Sequence, residues 1–131
     1  MESFIKIILT KLKCKNGEIP IQSFRKLPSL QDIEKFIQSH PLTFLYITQP
    51  KCSVCHGLEP QLIPIFEKYP KIHTGRVDSE EVPEIAGQFQ VFTAPVALLF
   101  LHGEEYIRKA RFIPVTELDY EISRIYENMV D

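Results

Sequence analysis

The sequence predicts an α/β domain: a central mixed sheet of four to five strands flanked by helices, ending in an antiparallel hairpin and a final helix. Two observations carry this. Stretches with apolar residues at helical spacing alternate with short β-branched and aromatic runs. The last two of those runs are separated only by His102-Gly103, which makes them a hairpin. From Ser29 onward the predicted order is α β α β α β β α, with one strand ahead of it.

Residues 1–23 read as an N-terminal extension and residues 24–131 as the domain. Within the extension, Phe4–Leu12 suits a short strand or helix, and Asn16-Gly17 is a turn signal. Phe24–Leu27 suits an edge strand before Pro28. Ser29-Leu30-Gln31-Asp32 resembles a capping box, and Leu30, Ile33 and Ile37 give the following helix its apolar face. Pro41 stops that helix. Leu42–Thr48 (LTFLYIT) is a buried strand. From Ser53 to Tyr69, Leu58, Leu62, Ile65, Phe66 and Tyr69 recur three and four apart, which is helical. Pro60 and Pro64 lie inside this helix and each removes a backbone donor. Ile72–Val77 is a strand, Asp78-Ser79 a cap and Val82–Phe89 a short helix weakened by Gly87. Ala94–Leu101 and Glu105–Phe112 form the hairpin. Pro114 opens the last helix, whose face holds Val115, Leu118, Ile122, Ile125 and Met129.

Composition narrows the function classes. The chain has 131 residues, 44% hydrophobic and 24% charged, which is one domain's worth of ordinary globular sequence. Fifteen basic and seventeen acidic residues give a net charge of −2 with the signs mixed. No basic footprint for nucleic acid or an anionic membrane is present. No apolar run approaches the roughly 18–20 residues that cross a bilayer. The first twelve residues, MESFIKIILTKL, lack a signal peptide's basic start, and Lys6 interrupts their apolar stretch. A cytoplasmic location is expected. Three cysteines are too few and too odd for a disulfide framework, and suggest a reduced compartment.

Two of the cysteines form a C-x-x-C, Cys52 and Cys55, where a buried strand meets a helix. There Cys52 sits among unpaired N–H groups at the positive end of the helix dipole. Both lower its pKa, and the thiolate is the nucleophile. Cys55, three residues on and facing the same side, can resolve a mixed disulfide. Lys51 adds a neighbouring cation. Cys14 stands apart in the extension and reads as a bystander.

From about Phe24 to Asn128 the chain resembles the thioredoxin-like family, as a divergent bacterial-type member with a C-S-V-C motif. LTFLYIT leads into the cysteines, Pro60 lies five residues past Cys55, and Asp78 follows the third strand. Thr93-Ala94-Pro95 precedes VALLFL, and His102-Gly103-Glu104 holds the glycine turn. The resemblance implies a thioredoxin-like fold and thiol-disulfide exchange on protein or small-thiol mixed disulfides. It implies Cys52 as attacking and Cys55 as resolving cysteine, their redox-active disulfide serving in place of any cofactor or metal. A reductase or thiol donor is the implied partner. Pro95 matches the family's cis-proline, which leaves the Ala94 backbone free to pair with an extended substrate. Lys51, Ser53, Val54, Thr93, Ala94, Pro95 and Arg111 are the groove candidates.

The departures are specific. Lys51 replaces the usual Trp, and Ser53-Val54 the usual Gly-Pro. Tyr46 stands six residues before Cys52, where the family has a buried acid, and Thr74 where it has that acid's lysine. His56 and Glu59 are the candidate substitutes for proton transfer at Cys55. The neutral Ser-Val pair points to a reductase rather than a strong oxidant. Arg111, followed by Phe112, stands where the family keeps a glycine, and this bulk and charge are expected to narrow the range of protein substrates.

Three other readings compete. Cys52–His56 also spells the haem-c pattern C-x-x-C-H, with His56 as axial ligand. The strand-rich C-terminal half argues against a helical cytochrome. A structural zinc wants four ligands, and Cys52, Cys55 and His56 supply three. A redox-silent interaction module on the same scaffold is the third, opposed by the intact cysteine pair.

Overall fold

The computed structural model describes residues 24–129, with the side chain of Met129 excepted. The expected Phe4–Leu12 element, the Asn16-Gly17 turn and Cys14 lie outside the described residues. Strand β1 (Arg25–Lys26) is followed by helix α1 (Leu30–Ser39), β2 (Leu42–Thr48), helix α2 (Ser53–Glu67) and β3 (His73–Asp78). Helix α3 (Ile85–Phe89), the hairpin β4 (Val96–Leu101) and β5 (Glu104–Ala110), and helix α4 (Val115–Met129) complete the order. The five strands run β1-β3-β2-β4-β5 across one sheet. β1 and β2 pair with β3 in parallel, and β4 pairs antiparallel with both β2 and β5. The sheet is therefore mixed and five-stranded, as the sequence predicts.

Alternation along β2 divides the core. Phe44 and Tyr46 face α2 and α4, where they join Leu62, Phe66, Leu118 and Ile122. Leu45 and Ile47 face the other way, onto Ile33, Phe36 and Ile37 of α1 and Ile85 of α3. All seven residues of β2 are buried, because helices cover both faces of this central strand. The Ser29 hydroxyl accepts from the Asp32 N–H at 3.1 Å and starts α1. Gly75, at the β1–β3 contact, lies in close approach: a Cβ there would meet Leu27 Cδ1 at 2.5 Å, so the leucine side chain would have to shift.

Several boundaries move from those read in the sequence. Helix α2 runs through Pro60 and Pro64 as the sequence predicts, both on its exposed face, but ends at Glu67 rather than Tyr69. Helix α3 starts at Ile85 rather than Val82, after a turn, and Gln90 ends it in the left-handed region at φ 56°. Strand β5 ends at Ala110 because Arg111 turns left-handed at φ 67°.

His40, capping the C-terminus of α1, stacks on His73 at the start of β3, with ring centroids 3.7 Å apart. Burial, then the His40 ring and Arg25, hold His73 below the ordinary imidazole value. A depressed folded pKa means that the folded state binds fewer protons than the unfolded chain. This contribution is complete above about pH 6.5, the unfolded value. It is lost as pH falls through the folded value. We expect Tm to drop between about pH 7 and pH 5, and the drop to shrink in His73→Gln. Identical profiles for the two proteins in thermal scans would contradict this.

Candidate active site

The turn between β2 and α2 builds the cysteine site. The Cys52 N–H donates to the Gln49 carbonyl at 3.2 Å, which bends the chain out of the strand. Cys52 is then the N-cap of α2, in extended conformation, and its Sγ accepts from the Cys55 N–H at 3.1 Å. Sulfur takes the place of the oxygen that usually caps a helix. The same N–H is positioned to stabilise a thiolate on Cys52. Cys52 and Cys55 form a disulfide, with Cys52 partly exposed and Cys55 fully buried. This asymmetry gives an incoming sulfur access to Cys52 alone.

Tyr46 is fully buried, and its hydroxyl donates to the Cys55 carbonyl at 2.6 Å. Burial, reinforced by the negative charge of Glu59, pushes its phenol far above the ordinary tyrosine value. Tyr46 is thus a fixed neutral donor and not a base. Glu59, one helical turn beyond Cys55, pairs with Arg76 of β3, Oε2 to Nη1 at 3.2 Å. The glutamate side chain is only 18% exposed. Arg76 is the register partner of Tyr46 across the parallel β2–β3 pair, so both point toward α2. A cavity of about 220 Å³ opens beside this pair, lined by Thr48, His56, Glu59, Arg76 and Asp78 among others.

His56 behaves differently from Glu59. It is exposed, and its Nε2–H donates to the Pro50 carbonyl at 2.9 Å, folding the ring back over the loop. Arg76 is the residue that sequence reading missed. It was legible: in a strand, Thr74, Arg76 and Asp78 share a face by alternation.

The groove candidates fall on three segments: the start of α2, the turn ahead of β4 and the end of β5. Lys51, Ser53 and Val54 are exposed at the start of α2. Thr93 and Ala94 are half-buried ahead of Pro95, and the Ala94–Pro95 peptide bond is cis. Arg111 is exposed, and its N–H donates to the Pro95 carbonyl at 2.7 Å, tying the two segments together. A non-glycine residue at such a positive φ costs roughly 1–2 kcal/mol. Val54, Arg111 and Phe112 line one shallow depression with Leu58, Gln61 and Ile113. Phe92 and Phe112 are each 79% exposed and Val54 is 60% exposed. Phe92 is next to Thr93 in the chain, and its exposure is not marked by its sequence neighbours. Among the described residues, no group of three His, Cys, Asp or Glu side chains is placed to hold a metal ion.

Comparison with known proteins agrees with this geometry. The Thioredoxin family profile matches residues 27–122. Thioredoxin-like protein YdfQ of Bacillus subtilis (strain 168) is 44% identical over 100 residues, covering 76% of this chain and 89% of that one. Oxidised mitochondrial thioredoxin 3 of Saccharomyces cerevisiae superposes with a TM-score of 0.69 at 22% identity, over 77% of this chain and 94% of its own. Thioredoxin from Trypanosoma brucei brucei gives 0.73 at 17% identity, over 86% and 99%. With the C-x-x-C pair at the start of α2 and the family profile across the sheet, this chain belongs to the thioredoxin family and is a thiol-disulfide oxidoreductase.

Proposed function

We propose that the chain works as a reductase, cycling Cys52 and Cys55 between dithiol and disulfide to reduce disulfides in proteins or mixed disulfides with small thiols. The observation that carries this reading is the asymmetry of the pair: Cys52 partly exposed with an N–H on its sulfur, Cys55 buried. The Cys52 thiolate attacks one sulfur of the substrate disulfide. A Cys52–substrate S–S bond forms, the substrate S–S bond breaks, and the other substrate sulfur leaves as a thiolate. Cys55, deprotonated, then attacks the Cys52 sulfur and displaces the second substrate thiolate. The substrate gains two electrons, and the chain is left with the Cys52–Cys55 disulfide. A reductase or thiol donor supplies a dithiol, or two thiols, to restore it. The redox-active pair is the whole cofactor.

Glu59 exchanges the Cys55 proton with solvent in this reading. It lies one turn past Cys55, lines the cavity, and is held there by Arg76 as a positioning residue. The Ser53-Val54 pair carries no charge to stabilise the dithiol unduly, in keeping with a reductase in a reduced, cytoplasmic compartment. Among the described residues no helix is long and apolar enough to cross a membrane. Residues 24–131 form the redox domain, and residues 1–23 extend it.

Reduction of insulin by dithiothreitol, followed as turbidity, tests the reading. The wild-type chain should accelerate precipitation of the freed insulin chain, and Cys52→Ser should not. Equal rates with and without Cys52 would support instead a redox-silent interaction module on this scaffold.

A further inference from the structure

Five arginines lie among the described residues, and four have a partner there. Arg25 sits over the Phe36 ring, Arg76 pairs with Glu59, Arg108 with Glu105, and Arg124 sits over Tyr120. Arg111 pairs with no carboxylate or ring among those residues. It is exposed, at a left-handed backbone position that favours glycine, and its own N–H is fixed to the Pro95 carbonyl. Among the described residues the fold therefore bears a strained backbone and an unneutralised cation in a depression shared with Val54, two residues from Cys52. The depression it lines contains no acid, and its neighbours Val54 and Phe112 are apolar and mostly exposed.

We propose that this depression reads the sequence around the substrate cysteine. Its occupant is an extended disulfide-bonded peptide segment with an Asp or Glu flanking the reactive cysteine, ion-paired to Arg111. A bulky apolar residue of the same segment seats on Val54 and Phe112. The inference rests on the reductase reading above and names its substrate class. Charge complementarity selects the occupant: a lone cation in an apolar, acid-free depression is matched by a carboxylate beside an apolar side chain, and repels a basic segment. A guanidinium suits this because its planar fork can grip a carboxylate with two hydrogen bonds.

The test uses the reduced full-length chain and three short disulfide peptides. They differ only in the residue beside the cysteine: Asp, Asn or Lys. Each second-order rate is divided by the same protein's rate with bis(2-hydroxyethyl) disulfide, a small neutral substrate. Wild type should favour the Asp over the Lys peptide about five-fold or more, as expected for an exposed charge pair against a like-charge pair. The preference should shrink at about 1 M salt, where charges are screened within ~3 Å. Arg111→Glu should invert it and Arg111→Gly should flatten it. Arg111→Gly should also raise Tm by a few degrees (roughly 3 °C), since glycine relieves the strain.

Equal rates for the Asp and Lys peptides, or a preference that survives in Arg111→Glu, would overturn the proposal while leaving the reductase reading intact. A wild-type chain that is dimeric by sedimentation, but monomeric as Arg111→Glu, would give the depression to a second copy and overturn it too. A chain that reduces neither the peptides nor the small disulfide would fail the reductase reading itself.

Discussion

Cys55→Ser turns the chain into a covalent trap. Cys52 keeps its exposed sulfur and attacks a substrate disulfide, but the mixed disulfide then has no internal thiol to resolve it. Mass spectrometry of the variant incubated with a disulfide peptide should show one substrate chain bound through Cys52, stable until dithiothreitol is added. Cys52→Ser should show no adduct, and its insulin reduction should fall by ~10³-fold or more, as when a nucleophile is removed. The two variants thus fail differently, in a way set by burial. Cys55 is fully enclosed, so it cannot substitute as the attacking sulfur when Cys52 is gone. An adduct on Cys55 in the Cys52→Ser protein would refute the assignment of roles.

The second large effect belongs to Glu59. Glu59→Gln keeps the side-chain volume and removes the base, so resolution by Cys55 should slow by about 100-fold near neutral pH. The residual rate should then rise with hydroxide concentration. Arg76→Gln acts through Glu59. With its ion-pair partner gone, the carboxylate is no longer held beside the cavity, and resolution by Cys55 should slow several-fold, short of the Glu59→Gln loss. His56→Ala should change the profile less, because that ring already donates to the Pro50 carbonyl. Superimposable profiles for wild type, Glu59→Gln and His56→Ala, measured by single-turnover kinetics, would remove both residues from proton transfer.

The architecture was legible wherever one local signal agreed with the tertiary environment. LTFLYIT reads as a buried strand, and Leu42–Thr48 is one, residue for residue. The Ser29 cap and the His102-Gly103 turn lie where their side chains and backbone freedom demand. Boundaries slipped where tertiary contacts decide. Helix α3 starts at Ile85, three residues after its apolar pattern begins, because Val82 and Pro83 close a turn ahead of it. The Arg111 tie to Pro95, between residues sixteen apart, closes β5 early and has no local signature.

The site was read from C-x-x-C and its spacing, which are local. Its support was not. The ion pair that stands below the disulfide joins Glu59 on α2 to Arg76 on β3, and the pairing follows from the β2–β3 register. Tyr46 shows the limit from the other side. Its position invited comparison with a missing acid, yet its hydroxyl is a donor on the Cys55 carbonyl and its charge-bearing neighbour lies on another element.

The direction of electron flow is the central claim, and the reduction potential of the Cys52–Cys55 couple tests it most directly. Equilibration with glutathione or dithiothreitol buffers, with the thiol state read by alkylation and mass, gives the value. A reductase with a neutral Ser53-Val54 pair should lie near thioredoxin's roughly −270 mV. A value above about −180 mV, in the range of oxidases and isomerases, would contradict it.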